Sequence, residues 1–170
     1  MKSKKIDELI AKIKSDTWDE KRIAGNALAL VPTPKVVMAL VSLLYSDNVD
    51  VRNATALALR KIRSKKAVPF LIEAIKRPRN KDHIGTLVYA LETHDCSKYF
   101  LEIIKLALSV RPFVSASAVT ILTKQGFWMK NKDVDKALKL LNNAILKGNI
   151  EADKSSDFKA YLMGLYEDEK

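Results

Sequence analysis

Residues 47–62 read DNVDVRNATALALRKI, and this stretch decides the fold. Counting from Val51, apolar or small residues recur after three, four, seven, eight and eleven positions, which places them on one face of an α-helix over three turns. Asp47 and Asp50 stand where the start of a helix favours negative charge, and Asp47 or Asn48 can cap it. The stretch therefore predicts an amphipathic helix that buries a single stripe.

Similar patterns recur along the chain at an interval of 31 residues. The motif of residues 58–62 has a counterpart at 27–31, and the apolar segment 37–44 has one at 68–75. Ten amphipathic stripes follow one another, and no stretch shows the strict alternation of a half-buried strand. We therefore predict five helix pairs in one domain over residues 1–170, with approximate repeats 4–31, 34–62, 67–94, 97–124 and 133–166.

These helix pairs resemble HEAT repeats, the helical units of armadillo-like α-solenoids. The residues that carry the resemblance lie in the second pair and are Val51, Arg52, Ala58, Leu59 and Ile62. The resemblance implies an all-α fold, a right-handed α-solenoid of about five HEAT-like pairs whose second helices line a concave face. It also implies that turns within repeats lie along one edge and turns between repeats along the other.

Composition favours a basic, soluble protein with anionic partners, because the formal net charge is +10. Cys96 is the only cysteine, so no intramolecular disulfide can form, which suits a reducing cytoplasm. The longest apolar run, residues 36–45, is far too short to cross a bilayer. We expect a cytoplasmic protein that is monomeric on its own, lacks a membrane segment and ends in a fraying acidic segment at 167–170.

The sequence contains no recognisable catalytic or metal-binding constellation. His83 and His94 stand eleven residues apart, about three helical turns, which is too far for both to bind one metal ion directly. A capping histidine beside a buried thiol explains the neighbours His94 and Cys96 better than a nucleophile pair does. HEAT-like protein hydroxylases carry His-Glu metal motifs that nothing here matches, and HEAT-like DNA glycosylases place aromatic residues on the concave face. Trp18 and Trp128 are interpreted as turn or helix-start residues, which disfavours a glycosylase. Since no catalytic or metal-binding motif is recognised, we predict no enzyme, no metal and no cofactor.

The predicted concave face consists of residues opposite the buried stripes of the second helices. These residues are Arg22, Asn26, Asn53, Arg60, Tyr89, Glu92, Ser117 and Thr120. Tyr89 and Arg60 are of the types that most often carry binding energy at protein interfaces. We therefore expect them to contribute most to the binding of a partner.

Basic residues are expected along both edges of the concave face. The edge of the turns within repeats would hold Arg52, Lys76, Arg77, Arg79, Lys81 and Arg111. The edge of the turns between repeats would hold Arg63, Lys65, Lys66, Lys124, Lys130 and Lys132. Two basic rims can hold an acidic protein or a long anion. The alternative interpretation is that these side chains only keep a small protein soluble.

Residues 126–129, Gly-Phe-Trp-Met, form an apolar turn among lysines. An exposed Phe127-Trp128 pair would be a binding anchor. We expect instead that this turn folds back and covers the gap before the last repeat.

These features together predict a non-enzymatic module that binds a macromolecular partner through its concave face and basic rims. The chain also resembles small bacterial HEAT-like immunity proteins, which implies a toxin domain with an acidic face as the partner. Nucleic acid bound along the rims is the alternative, and glycosylase activity is not expected.

Overall fold

In the computed structural model, residues 3–166 are described, and every regular element among them is a helix. The acidic segment 167–170, for which fraying was predicted, lies outside the described residues. Two short 3-10 helices lie at Lys65–Ala67 and Pro78–Asn80. The α-helices of the described range are α1 (Ser3–Lys12), α2 (Trp18–Ala29), α3 (Pro34–Leu43), α4 (Val49–Ile62), α5 (Val68–Lys76), α6 (Gly85–Leu91), α7 (Phe100–Ala107), α8 (Pro112–Lys124), α9 (Asn131–Leu146) and α10 (Ala152–Met163). The predicted all-α fold is confirmed.

The chain divides into two compact units between Asp95 and Cys96. The first unit contains α1 to α6, and the second contains α7 to α10. Each unit has its own internal packing and is described here by itself. The single domain over residues 1–170 stays a prediction.

Side-chain caps explain where the helices of the first unit begin. The Thr17 hydroxyl accepts a hydrogen bond from the Glu20 amide at 3.4 Å at the start of α2. The Thr33 hydroxyl accepts one from the Val36 amide at 3.3 Å at the start of α3. Asn48, rather than Asp47, caps α4, because its Oδ1 accepts from the Asp50 and Val51 amides. These bonds satisfy amide donors that a helix start leaves without a partner.

The first unit has two layers of helices. The second helices of its three pairs, α2, α4 and α6, lie side by side with α4 in the middle, while α1, α3 and α5 pack against their own partners. Leu59 is fully buried, as the stripe of residues 47–62 requires. Gly25 allows a close approach of α2 to α4, because a Cβ added there would lie 3.2 Å from the Ala54 carbonyl oxygen of α4.

The second unit pairs α7 with α8 and α9 with α10, and α7 also packs against α9. Its fully buried side chains include Ile103, Val134 and Leu141. The Tyr161 hydroxyl on α10 donates to the Leu122 carbonyl of α8 at 3.3 Å. Burial raises the pKa of Tyr161 above its ordinary value. Residues 125–130 run between α8 and α9 without helical structure.

Candidate functional site

Arg60, Tyr89 and Glu92 come together where α4 and α6 pack side by side. The Arg60 guanidinium carbon lies 3.7 Å from the centroid of the Tyr89 ring, and its Nη2 lies 3.2 Å from Glu92 Oε2. Arg60 Nη1 also donates to the Tyr89 carbonyl at 2.5 Å. The Arg60 and Glu92 side chains are 21% and 15% exposed, so this ion pair is screened less than a surface pair. Three residues that the sequence assigned to one binding face thus form a single cluster, the Arg60 cluster.

The other residues predicted on the concave face, on α2 and α4, make fewer side-chain contacts than the Arg60 cluster does. Asn26 Oδ1 accepts a hydrogen bond from Lys61 Nζ at 2.8 Å, which links α2 to α4. Arg22 is exposed and pairs with Asp19 at 3.2 Å, within its own helix. Asn53 is half-buried. The first unit therefore holds six of the predicted face residues, but only the Arg60 cluster combines an aromatic ring with an ion pair.

Ser117 requires a correction. It was placed on the concave face, but only 3% of it is exposed. It stands three residues after Val114 and four before Ile121, so it belongs to the buried stripe of α8. Thr120 is half-exposed, and its hydroxyl donates to the Ala116 carbonyl at 2.9 Å in the same helix.

Arg52 also requires a correction, because it does not belong to an exposed rim. Only 3% of this residue is exposed, and its Nη1 donates to the Ser46 carbonyl at 2.7 Å and the Asp47 carbonyl at 2.8 Å. Burial is the main cause that lowers its pKa, and the charge of Arg79 lowers it further. Arg52 therefore holds the turn between α3 and α4 in place.

Arg77 and Arg79 connect the turn before α6 to the turn before α4. The Arg77 guanidinium carbon lies 3.8 Å from the centroid of the Tyr45 ring, and Arg77 Nη2 pairs with Glu73 at 3.2 Å. The Tyr45 hydroxyl donates to Glu73 at 2.8 Å, while Arg79 pairs with Asp47 and donates to the Tyr45 carbonyl at 2.7 Å. Burial first, and then Glu73, raises the pKa of Tyr45, whereas the hydrogen bond from Tyr45 lowers the pKa of Glu73. Two predicted rim arginines are thus engaged within the molecule.

The remaining basic residues on that predicted edge are Lys76, Lys81 and Arg111. Lys76 and Lys81 are exposed in the first unit, on either side of the arginine pair. Arg111 is half-buried and lies in the second unit, immediately before α8. The prediction that these residues share one rim is not tested.

Residues 63–66 form an exposed basic turn between α4 and α5. Arg63 ends α4 in the left-handed conformation, with φ of 55°, and its side chain is exposed. Lys65 Nζ lies 3.9 Å from Asp95, and 85% of the Lys65 side chain is exposed. Lys66 is exposed as well. In the first unit these side chains are more exposed than those of Arg52 and Arg77.

Phe127 and Trp128 have separate roles in the second unit. Phe127 folds back, with its ring centroid 5.6 Å from that of Phe100, as expected. Trp128 does not, because 73% of it is exposed. Lys98 Nζ lies 5.0 Å from the centroid of the Trp128 ring. Three exposed lysines lie near this turn in the chain: Lys124 precedes it, and Lys130 and Lys132 follow it.

Comparison with protein-family models decides the family. The model for HEAT repeats matches residues 6–92, just over half of the chain. The chain belongs to the HEAT-repeat family. HEAT repeats generally mediate protein–protein interaction, and proteins built from them are typically non-enzymatic scaffolds. Comparison with curated proteins found no match.

The matched residues of this HEAT-repeat protein span α1 to α6 and include the Arg60 cluster. The second unit lies beyond the match, and its last repeat, at 133–166, is predicted from periodicity alone. Among residues 3–166, no helix is long and apolar enough to cross a membrane.

The second unit contains an apolar cleft that the sequence did not predict. It has a volume of about 670 Å³ and lies between α8 and the start of α10. Leu122, Ile150 and Phe158 line it, and the neighbouring Val119 is 39% exposed. Spacing along α8 and α10 places Leu122 and Phe158 on apolar stripes but does not show that the two stripes fail to close on each other.

His94 has the structural role that the sequence suggested. Its Nδ1 donates to the Ala90 carbonyl at 2.8 Å near the end of α6, and 3% of the residue is exposed. Burial is the main cause that lowers its pKa below the ordinary 6.5. Cys96 is a buried free thiol. Within the described part of the chain, no three His, Cys, Asp or Glu residues are grouped as a metal site requires.

Proposed function

We propose that this HEAT-repeat protein is a non-enzymatic binding module that holds a protein partner against the surface formed by α2, α4 and α6. The Arg60 cluster carries the proposal, because it presents a tyrosine ring and an arginine in a fixed arrangement on that surface. Tyrosine and arginine are enriched among the residues that dominate binding energy. The ion pair with Glu92 and the contact with Tyr89 hold Arg60 before a partner arrives, which reduces the entropy lost on binding.

The partner that fits best has an acidic face. Residues 63–66 follow α4 directly, so their positive charges stand beside the proposed surface. Exposed charges at the border of an interface mainly accelerate association and orient the partner. A toxin domain that is neutralised in the cytoplasm, as by small HEAT-like immunity proteins, is a partner of this kind.

Capture of the partner with the wild-type protein, followed by binding kinetics, tests the proposal. Tyr89→Ala and Arg60→Ala should each raise the dissociation rate about tenfold or more, which corresponds to about 1.4 kcal/mol. Circular dichroism must show that both variants remain folded, because Arg60→Ala also leaves Glu92 without its ion pair. Met38→Ala is the matched control, since Met38 is a large exposed residue on α3 in the other layer.

Charge reversal of Arg63, Lys65 and Lys66 should mainly slow association, and the effect should shrink as salt rises. If a captured partner dissociates from both Tyr89→Ala and Arg60→Ala at the wild-type rate, the contact lies elsewhere and the proposal is wrong. Nucleic acid along the rims has weaker support in the first unit, because Arg52, Arg77 and Arg79 are engaged within the molecule.

A further inference from the structure

We propose that the second unit binds single-stranded nucleic acid, with one base stacked on Trp128 and the neighbouring phosphates held by lysines. This site is independent of the surface formed by α2, α4 and α6. Its parts are the exposed indole, Lys98, which lies over the ring, and three exposed lysines close to Trp128 in the chain, which are Lys124, Lys130 and Lys132.

Trp128 is exposed, but its backbone is held in place. The Trp128 amide donates to the Ser97 carbonyl at 2.9 Å, and the Cys96 amide donates to Gln125 Oε1 at 2.8 Å. Phe127 is anchored against Phe100. The segment 96–98 therefore runs beside 125–128, and the indole is presented from a fixed loop. An indole that is 73% exposed on such a loop offers an open face on which a nucleic-acid base can stack.

Lysines are concentrated near Trp128 in the chain, and one of them lies over the indole. Lys98 Nζ lies over the ring, and Lys124, Lys130 and Lys132 stand within four residues of Trp128 along the chain. Two acids follow them, Asp133 and Asp135, and Lys136 comes next in the chain. The Asp133 carboxylate accepts hydrogen bonds from Lys136 Nζ at 3.0 Å and from the Lys130 amide at 3.3 Å. The local surplus of positive charge favours an anionic ligand.

The arrangement fits a nucleic acid better than an apolar pocket on a protein. The centres of protein interfaces are poor in lysine, because burial of an ammonium group removes its hydration. An indole buried in a protein pocket would carry Lys98 into the interface with it. A base stacked on the open side of the indole leaves the lysines in solvent, where they can pair with phosphates on either side of that base. A single strand is required, because inside a duplex both faces of a base are covered by the base pairs stacked above and below it.

Tryptophan fluorescence gives a direct test, because the chain has only two tryptophans, Trp18 and Trp128. In the Trp18→Phe variant, oligo(dT) and oligo(U) of about 12 nucleotides should quench the remaining fluorescence in a saturable way at about 50 mM salt. The affinity should fall with salt, with a slope in log–log form of about −0.7 per phosphate neutralised. In the Trp128→Phe variant, where Trp18 is the reporter, the quenching should be lost. Comparison of oligo(U) with oligo(dU), which differs from it only at the 2′ position, shows whether the ribose hydroxyl contributes.

Anisotropy of a labelled oligonucleotide measures the contribution of each part. Trp128→Ala should weaken binding about tenfold or more, and combined reversal of Lys98, Lys130 and Lys132 to glutamate should abolish it. The matched control reverses Lys105 and Lys139, two exposed lysines of the same unit, and should lower the affinity much less. Absence of binding at about 50 mM salt, or equal binding by Trp128→Ala, would overturn the proposal. Quenching by polyglutamate without binding of either oligonucleotide would also overturn it and assign the site to an acidic protein.

Discussion

Arg52 and Arg60 lie on the same helix, yet they have different roles. Arg52 lies in the first turn of α4, beside the turn from α3, so carbonyl oxygens lie within its reach and its guanidinium is buried against them. Arg60 lies two turns further on, where α6 provides a tyrosine ring and a carboxylate. The sequence shows that both residues are arginines on one helix. The groups around each of them come from other segments and decide whether it braces a turn or contributes to a binding surface.

At the same scale, His94 should make stability depend on pH. Its pKa is lowered in the folded protein, mainly by burial, so the folded state disfavours the protonated imidazole. The contribution of His94 to stability is therefore fully present above the unfolded pKa of about 6.5, and it is lost as the pH falls from there toward the folded pKa. The urea concentration at the denaturation midpoint should therefore decrease when the pH is lowered from about 7 to about 5.

Two variants isolate the contribution of His94. His94→Asn keeps a neutral amide donor at every pH, so the fall in midpoint over this range should shrink, although the variant starts from a lower stability. His83→Asn changes the exposed histidine and should retain the wild-type dependence. An unchanged pH dependence in His94→Asn would show that other groups cause the fall.

At the scale of elements, the helices follow from spacing along the chain, but their approach distances do not. The stripe of residues 47–62 predicts α4, and the caps at Thr33 and Asn48 stand where capping residue types are expected. Gly25 lies inside α2, where glycine is unfavourable for a helix. Packing against α4 explains it, because a Cβ added there would lie closer to the Ala54 carbonyl oxygen than side-chain contacts usually do.

Gly25→Ala should therefore destabilise the protein although alanine favours helix. The added Cβ would lie 3.2 Å from the Ala54 oxygen and 3.4 Å from the Ala58 Cβ, and α4 is held between α2 and α6. We expect a net loss of about 1 kcal/mol in the free energy of unfolding, because overpacking outweighs the gain in helix propensity. Urea denaturation measures this loss.

Gly126→Ala is the matched control, because no atom lies within 4 Å of a Cβ added there. Its unfolding free energy should change by less than about 0.5 kcal/mol. A Gly25→Ala variant more stable than the wild type would mean that α2 and α4 can separate at little cost.

At the scale of the whole molecule, one domain over residues 1–170 was predicted, and the chain has two compact units. A HEAT repeat buries its apolar face only against its neighbours, so a continuous array unfolds cooperatively. The two tryptophans allow a test, because Trp18 lies in the first unit and Trp128 in the second.

We expect the variants Trp18→Phe and Trp128→Phe to show the same denaturation midpoint by fluorescence. Each variant reports on one unit, and coincident transitions indicate two-state unfolding. Circular dichroism at 222 nm, roughly the helical minimum, should follow the same curve in both variants. Two separate midpoints would show that residues 1–95 and 96–170 fold independently.

The sequence by itself determined the elements and the family, because both depend on spacing within single helices. Amphipathic stripes, capping residues and the motif around Arg52 and Leu59 can be recognised without knowledge of any long-range contact. Only the tertiary structure decided which of these side chains face solvent. Arg79 is engaged by Tyr45 and Asp47, which lie 34 and 32 residues earlier in the chain. Trp128 remains exposed while its neighbour Phe127 is covered by Phe100, because burial depends on which partners the fold brings close.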